Sequence, residues 1–273
     1  MTASRIRLAV CGAAGRMGRA VVQVAASDEK IELVSAVDAP GCQGLGRDIG
    51  VLSGIDEQGI VLGDDIAVSL AHAQAVIDFS TPTSTASLLK ECIRLKMPTV
   101  IGTTGLRDTM NYVHELAGVA PVVHAPNFSQ GVTVMFYLAE MAARLLGDAY
   151  DAEIIEMHHR HKMDAPSGTA LRLAEGVARA RDVTSDAFVY GREGQVGQRR
   201  NTEIGVLALR GGGVVGDHTL ILADPSERLE LVHRAQDRAV FARGAVRAAH
   251  WVVEQPPGLY DMFDVLGIQK DAH

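Results

Sequence analysis

The chain has 273 residues, of which 47% are hydrophobic and 22% charged, and its formal net charge is −7. A chain of this length has enough apolar residues for two domains, each with its own core. The acidic balance disfavours a general nucleic-acid-binding protein, which normally carries a basic excess. The three cysteines include no Cys-x-x-Cys pair, so they indicate neither a disulfide framework nor a cysteine-rich metal site.

The hydropathy of the chain gives no sign of targeting or membrane insertion. The N-terminus passes into an apolar strand without the hydrophobic core of a secretory signal peptide. Apolar runs stay well short of the roughly 18 residues that a membrane-spanning helix needs. We therefore expect a cytoplasmic protein with neither a membrane nor a nucleic acid as its partner.

The N-terminal segment predicts a βαβ unit that binds a dinucleotide. Ile6–Cys11 is an apolar run typical of a central parallel strand, Gly12–Gly18 is a glycine-rich turn, and Ile31–Val37 is a second strand followed by Asp38. The glycines allow close approach of the backbone to a pyrophosphate, and the acid accepts hydrogen bonds from the adenine ribose. The spacing is Gly-x-x-Gly-x-x-Gly, with Ala14 where a glycine often stands. A βα turn without a ligand is the alternative.

Asp38 also indicates which cofactor is preferred. A carboxylate at the ribose favours a free 2′-hydroxyl and repels a 2′-phosphate, and the following Ala39 offers no positive charge. Arg16 and Arg19, in and just after the glycine turn, could still approach a 2′-phosphate. We therefore expect NADH to be preferred and NADPH to be tolerated.

Strand and helix patterns alternate again after residue 75. Three apolar strands are predicted, at 75–79, 98–101 and 122–124. In open α/β sheets, ligands bind at the carboxyl ends of the strands. The loops expected to line one crevice with the glycine turn are therefore 78–82, 102–105 and 125–129. Ordinary turn chemistry is the alternative for each loop taken alone.

The pattern changes after residue 131. Strand-like runs recur without intervening helices, at 188–190, 204–209, 219–223 and 229–233. Grouped strands predict an α+β domain with a mostly antiparallel sheet. A helix at 240–253 and the apolar tail after it are expected to return to the first domain. The predicted fold class is thus α/β, with a doubly wound parallel sheet formed by 1–130 and 240–273 and a second domain formed by 131–239.

The stretch from 153 to 170 carries the most unusual chemistry. It begins as a strand and ends as a helix entrance, where Asp164 or Ser167 can cap and Pro166 suits an early helical position. Between these lie five consecutive side chains that are cationic or can become so: His158, His159, Arg160, His161 and Lys162. They repel one another unless an anion binds, and the free N–H groups of a helix N-terminus favour the same anion. This strand-to-helix corner, residues 153–170, therefore predicts an anion site.

This corner resembles the signature of the dihydrodipicolinate reductase (4-hydroxy-tetrahydrodipicolinate reductase) family. Its sequence is EIIEMHHRHKMDAPSGTA, and further matching motifs extend over almost the whole chain. They are GAAGRMG at 12–18, GTTG at 102–105, APNFS at 125–129, RGGGVVGDH at 210–218, FARGA at 241–245 and GLYDM at 258–262. The corner motif is long, and its order relative to the glycine turn fits the family.

The resemblance implies an activity, a fold and an assembly. Members of the family reduce a cyclic imine dicarboxylate of lysine and diaminopimelate biosynthesis to tetrahydrodipicolinate, with hydride from NADH or NADPH. The family reaction also expels water, and the sequence leaves open whether the enzyme catalyses that loss. The implied architecture is a Rossmann domain with a substrate-binding and tetramerisation domain, assembled as a homotetramer. Some members carry a basic residue at the position of Ala39, and its absence here puts dual cofactor use in doubt.

The resemblance also implies roles for individual residues. His158 would be the general acid/base and Lys162 a proton donor, while His159, Gly168 and Thr169 would hold the substrate. A histidine suits this task because its ordinary pKa lies near neutrality. The implied cofactor contacts are Gly12, Ala13, Ala14, Gly15, Arg16, Met17, Asp38, Gly102, Thr103, Thr104, Ala125, Pro126, Asn127 and Phe128.

The corner and the glycine turn are open to other interpretations. A metal site from His158, His159 and His161 lacks a carboxylate or cysteine placed to complete it, so we expect no metal. A semialdehyde dehydrogenase needs a nucleophilic cysteine in its second half, whereas Cys92 is the last cysteine of the chain. A solvated strand end would carry the same cations without a function. A nucleotide-sensing regulatory protein would bind the cofactor without consuming it.

Three further polar residues are secondary candidates: His218, His233 and Arg238. Histidines at strand ends are more often structural than ligand-binding. His218 also recurs in the family pattern, but we do not assign it a catalytic role.

Overall fold

The computed structural model describes residues 5–269, which divide into two compact units. Unit 1 contains the residues up to Gln130 and from Arg238 onward, and unit 2 contains Gly131–Asp237. Within the described residues no helix combines the length and the apolar character that a membrane span requires.

The strands, in chain order, are β1 Ile6–Cys11, β2 Ile31–Val37, β3 Leu62–Gly63, β4 Ala75–Asp78, β5 Thr99–Ile101, β6 Pro121–His124, β7 Asp151–His158, β8 Phe188–Val189, β9 Ile204–Arg210, β10 Gly216–Ala223, β11 Arg228–Ala235 and β12 Gly258–Tyr260. The helices are α1 Arg16–Ala26, α2 Ile49–Ser53, α3 Ile66–Leu70, α4 Pro82–Leu95, α5 Met110–Ala117, α6 Gln130–Leu146, α7 Gly168–Ala180, α8 Ala239–Val252 and α9 Met262–Leu266.

Unit 1 is built on a seven-stranded parallel sheet with helices on both faces. The strand order is β12-β6-β5-β4-β1-β2-β3, which contains the Rossmann order for the first six strands. In central β1, Leu8 and Val10 pack among residues of α1 and α8, while Ala9 and Cys11 pack among residues of α4 and α5. Because both faces are covered, this strand is apolar throughout. The predicted doubly wound parallel sheet is confirmed.

The C-terminal segment completes the sheet and the helical layers of unit 1. Helix α8 packs against α1 and over β4, β5 and β6, and β12 pairs in parallel with β6. A Cβ at Gly244 of α8 would lie 1.7 Å from the carbonyl oxygen of Phe128. Only glycine therefore allows this helix to lie against the loop that follows β6.

Unit 2 contains a five-stranded mixed sheet in the order β11-β10-β7-β9-β8. The ladders β11–β10 and β10–β7 are antiparallel and long, as predicted, whereas β9 pairs in parallel with β7 and with β8. Helix α7 lies between β7 and β8 in the chain and packs against one face of the sheet. A helical crossover of this kind returns the chain to its starting end, so the next strand runs parallel.

Candidate active site

The glycine turn of unit 1 has the geometry of a phosphate site. Gly12 has φ +72°, and a Cβ there would lie 2.4 Å from the carbonyl oxygen of Phe79. A Cβ at Gly18 would lie 2.1 Å from the carbonyl oxygen of Gly12. No side chain caps α1, whose N-cap is Gly15. The backbone is therefore open to a ligand at a helix N-terminus that favours anions, and the residues present fit a dinucleotide pyrophosphate.

Asp38 lies directly after β2, against the glycine turn. Its Oδ2 accepts a hydrogen bond from the N–H of Ala14 at 2.8 Å, and its Oδ1 accepts one from the N–H of Ala39 at 2.8 Å. A cavity of about 340 Å³ opens beside this carboxylate and includes Gly12 and Asp64 in its wall. Among the described residues that line this cavity there are two carboxylates but no Lys, Arg or His.

Asp78 connects two of the loops that the sequence predicts at the crevice, 78–82 and 102–105, through hydrogen bonds. It is fully buried at the end of β4 and accepts hydrogen bonds from the hydroxyls of Ser80 (2.6 Å), Thr85 (2.6 Å) and Thr103 (2.9 Å). Burial raises the pKa of Asp78, against the lowering effect of these hydroxyls. Sequence reasoning did not single out Asp78, although an acid that ends an apolar strand before Ser-Thr-Pro was a usable signal.

The loop after β6 places its predicted cofactor residues on a well-packed backbone. The side chains of Ala125 and Phe128 are buried in the core of unit 1, and Phe128 stacks edge-on against Phe79 at 5.7 Å. Asn127 Oδ1 accepts a hydrogen bond from the N–H of Ser129 at 2.8 Å. A cofactor would therefore meet the main chain of Ala125 and Phe128 rather than their side chains.

The cationic corner of unit 2 begins at the last residue of β7, His158, and ends at the start of α7. Ser167 is the N-cap, because its Oγ accepts a hydrogen bond from the N–H of Ala170 at 3.2 Å. Asp164, the other predicted cap, instead binds Lys162 Nζ with both carboxylate oxygens at 2.9 Å. Pro166 precedes the N-cap and so lies outside the helix.

The backbone of the corner is held by the glycine-rich turn between β9 and β10. The N–H of His159 donates to the carbonyl of Val214 at 2.8 Å, and the N–H of Gly211 donates to the carbonyl of His158 at 3.0 Å. Gly168, which is exposed, and Thr169, which is half-buried, form the first turn of α7. The five residues predicted to act on the substrate thus lie on one strand end, one turn and one helix start.

Glu156 is the main functional candidate that sequence reasoning missed. It lies two residues before His158 on β7 and is fully buried. Arg210, at the end of β9, donates two hydrogen bonds to its oxygens at 2.8 and 2.9 Å, and the N–H of Ser167 donates a third at 3.0 Å. Burial raises the pKa of Glu156, but the hydrogen bonds from Arg210 and His158 outweigh that effect and lower it. The alternation of side chains along a strand could have identified Glu156, because it lies two positions before His158 and so points to the same face of the sheet.

Two histidine rings with different partners lie close together beside this carboxylate. His158 Nδ1 is 2.6 Å from Glu156 Oε2, and its side chain is 11% exposed. His218 lies 5.2 Å away, almost fully buried, with Nε2 3.1 Å from Ser167 Oγ. Burial, followed by the nearby His158, lowers the pKa of His218 to about 3. His218 is therefore neutral at neutral pH, and only His158 reaches the surface.

Metal ligation finds no support in this arrangement. Across residues 5–269, no group of three or more His, Cys, Asp or Glu side chains is placed to hold an ion. His158 Nδ1 faces Glu156 within the Arg210 ion pair, while the rings of His159 and His161 are 6.2 Å apart.

A Rossmann sheet with a glycine turn and an acid directly after its second strand, together with a second unit that carries a cationic corner, defines a two-unit nucleotide-dependent oxidoreductase. Two family models match consecutive parts of the chain. Residues 6–128 match the model "Dihydrodipicolinate reductase, N-terminus" and residues 131–266 match "Dihydrodipicolinate reductase, C-terminus". The chain belongs to the dihydrodipicolinate reductase family.

Individual relatives agree with this assignment. The chain is 50% identical to the 4-hydroxy-tetrahydrodipicolinate reductase of Halorhodospira halophila over 96% of its length and 98% of that protein. It is 49% identical to the enzyme of that name from Alkalilimnicola ehrlichii, over 96% of the chain and 99% of the relative. The solved structure of dipicolinate-bound dihydrodipicolinate reductase from Paenisporosarcina sp. TG-14 is similar, with a TM-score of 0.75 and 25% identity over 95% of this chain and 98% of that one.

Proposed function

We propose that the protein reduces 4-hydroxy-tetrahydrodipicolinate to tetrahydrodipicolinate with NADH or NADPH, in lysine and diaminopimelate biosynthesis. The substrate gains a hydride and a proton and loses water. The observation that carries the proposal is the corner of unit 2, where histidines and Lys162 lie at the end of β7 and in the turn that leads to the N-terminus of α7. A dicarboxylate is the kind of ligand that such a site stabilises. The dipicolinate-bound relative supports the same substrate class.

Each residue of the corner has a distinct task in this proposal. A dinucleotide bound to unit 1 would supply the hydride. Transfer to a conjugated imine builds negative charge on the substrate, and His158 would deliver the proton that neutralises it. His159, Gly168 and Thr169 would hold the substrate carboxylates. Lys162 would supply this same proton in place of His158, or donate a hydrogen bond to the substrate, once the substrate replaces Asp164, a largely exposed carboxylate that now binds its ammonium.

Preference for NADH over NADPH is the second part of the proposal. Val37 of β2 pairs with Gly63 of β3, so Asp38 and Asp64 follow neighbouring strand ends and share one cavity. A 2′-phosphate would therefore face two carboxylates without a compensating cation among the described lining residues. This arrangement supports a dinucleotide with a free 2′-hydroxyl.

A change at Asp64 tests cofactor choice without disturbing Asp38, which also holds the glycine turn. In Asp64→Asn we expect kcat/KM with NADPH to rise on the order of tenfold, since one repulsive charge is removed. The rate with NADH should stay within about twofold. Glu57→Gln, an exposed acid of the same unit, is the control and should change neither value. A clear NADPH preference in the unaltered protein would contradict the proposal.

We further propose that unit 2 binds the substrate and assembles the chain as a homotetramer in the cytoplasm. The face of its sheet opposite α7 supports this assembly. Thr219 of β10 pairs with Val232 of β11 and with Ile155 of β7 on that face. Val232 is 48% exposed although it is apolar, and Leu209 is 46% exposed. Exposed apolar side chains on a sheet face are suited to burial against another chain.

The activity itself is tested by following NADH absorbance when the condensation product of pyruvate and aspartate semialdehyde is supplied. We expect NADH oxidation that depends on this substrate. His158→Gln and Lys162→Met should each lower kcat, by about 10²–10⁴-fold for the general acid, while NADH binding measured by fluorescence is retained. NADH binding without oxidation in the unaltered protein would instead favour the nucleotide-sensing alternative.

A further inference from the structure

The carboxylate behind His158 has no role in the function proposed so far. Glu156 and His158 are alternate residues of β7 and therefore point to the same face of the sheet. Nδ1 of the ring is 2.6 Å from Glu156 Oε2, a short distance for a hydrogen bond to a charged acceptor. The imidazole is thus held at one of its two nitrogens.

Glu156 is itself fixed from three directions. Arg210 binds both carboxylate oxygens in a bidentate pair, and the N–H of Ser167 binds Oε1 from the start of α7. These donors make three hydrogen bonds to one fully buried side chain, which also contacts His158. A buried carboxylate with such partners remains ionised, and an ionised carboxylate only accepts hydrogen bonds.

The ionised state of Glu156 decides where the proton of His158 resides. A neutral imidazole carries its proton on one nitrogen, and next to an acceptor that nitrogen must be Nδ1. Nε2 is then the atom that gains and loses the exchangeable proton. The backbone beside Nε2 belongs to Gly216, where a Cβ would lie only 3.0 Å from this nitrogen. A glycine at this position leaves the Nε2 edge uncrowded.

We propose that Glu156 is a positioning residue, which keeps one proton of His158 on Nδ1, so that a second proton taken up from solvent sits on Nε2 and is delivered from there to the substrate. This inference rests on the role of His158 in the proposed function. Arg210 and Ser167 contribute indirectly, because they hold the carboxylate ionised and in place. The ordering of a histidine by a buried carboxylate is an established way to fix a catalytic imidazole.

A double-mutant cycle separates positioning from a purely structural role. Glu156→Gln should lower kcat on the order of 10²-fold and leave KM within about twofold, because the amide no longer fixes the tautomer. The same change made in the His158→Gln protein should lower kcat no further, since the residue acts only through that histidine. A structural role would give the same loss in both backgrounds, which would overturn the inference.

Glu153→Gln is the matched control for this cycle. Glu153 lies on the same strand and also pairs with arginines, Arg192 at 2.9 Å and Arg199 at 3.0 Å, but no hydrogen bond joins it to His158 in the described structure. We expect its kcat to equal that of the unaltered protein. If Glu156→Gln behaves like this control while His158→Gln is impaired, the inference fails and the proposed function stands.

A measurement on the unaltered protein covers the case in which Glu156→Gln does not fold. ¹⁵N NMR distinguishes a protonated from an unprotonated ring nitrogen, and the His158→Gln spectrum identifies the signals of His158. We expect Nδ1 protonated and Nε2 unprotonated at alkaline pH, and the opposite tautomer would overturn the inference. If the unaltered protein does not oxidise NADH, or His158→Gln is fully active, the proposed function fails, and positioning for catalysis fails with it.

Discussion

His158 and His218 show how the surroundings of a side chain decide its chemistry. Their rings are 5.2 Å apart on neighbouring strands, yet one faces an ionised carboxylate and the other a hydroxyl. Burial, followed by the neighbouring His158, disfavours a charged His218 and lowers its pKa to about 3. His218 therefore stays neutral at neutral pH, and this state follows from its burial rather than from its residue type.

This difference predicts how the stability of the protein depends on pH. The pKa of His218 falls to about 3 in the folded protein, while an unfolded chain has the ordinary value of 6.5. Below pH 6.5 the unfolded state therefore binds a proton that the folded state does not. The resulting loss in the free energy of unfolding is about 1.4 kcal/mol per pH unit as pH falls from 6.5 towards 3.

Urea unfolding at a series of pH values measures this contribution. In His218→Gln the free energy of unfolding should fall less steeply below pH 6.5 than in the unaltered protein. His72→Gln, a change at an exposed histidine of unit 1, should leave the slope as it was. Parallel slopes for the unaltered protein and His218→Gln would show that His218 is protonated in the folded state.

At the scale of single elements, helix ends and strand pairings differ in how far the sequence specifies them. The local sequence pattern predicts either Asp164 or Ser167 as the N-cap of α7. In the structure Ser167 is the N-cap, because Asp164 forms an ion pair with Lys162 instead. The antiparallel strands of unit 2 followed from grouped strand signals. Strand β9 runs parallel to β7 because the chain crosses over twice, through α7 to β8 and through residues 190–203 to β9. A count of strand-like runs reveals neither crossover.

The packing of α1 against the glycine turn gives a prediction for one helical glycine. Because a Cβ at Gly18 would lie 2.1 Å from a backbone oxygen, Gly18→Ala must displace the helix or the turn. We expect a loss of about 1–3 kcal/mol in the free energy of unfolding and weaker NADH binding. Thermal unfolding and fluorescence titration with NADH measure the two effects.

Gly176 in α7 provides the matched control for this change. It is also a buried glycine within a helix, but a Cβ there would meet its nearest neighbour at 3.6 Å, an ordinary contact. Gly176→Ala should stabilise the protein by about 0.5–1 kcal/mol, because alanine favours a helix over glycine. If Gly18→Ala and Gly176→Ala had the same free energy of unfolding, the close approach of α1 to the glycine turn would have no effect on stability.

At the scale of the whole molecule, the open sheet face of unit 2 determines our prediction about assembly. If the chain forms a homotetramer through this face, a charge at Val232 would be buried without a partner. Val232→Lys should therefore lower the mass measured by sedimentation from that of four chains to that of one or two. Leu259→Lys, at a leucine of β12 that is 41% exposed, should sediment like the unaltered protein. A monomeric unaltered protein would contradict the proposed assembly.

The sequence by itself determined the features that are encoded over short stretches. The glycine turn, the acid after β2 and the corner at 153–170 each consist of neighbouring residues whose spacing matches a strand, a turn or a helix start, so their chemistry is visible without a fold. The family resemblance, which also rests on such local motifs, is confirmed.

Only the tertiary structure decided which distant residues complete these sites. Glu156 is hydrogen-bonded to Arg210, which lies 54 positions away in the sequence. The corresponding separations are 51 positions for Ser167 and His218 and 25 positions for Asp78 and Thr103. Local pattern does not specify such pairs, because strand order and helix crossovers bring them together. Burial then sets which groups stay charged, so the ionised Glu156 and the neutral His218 follow from packing rather than from residue type.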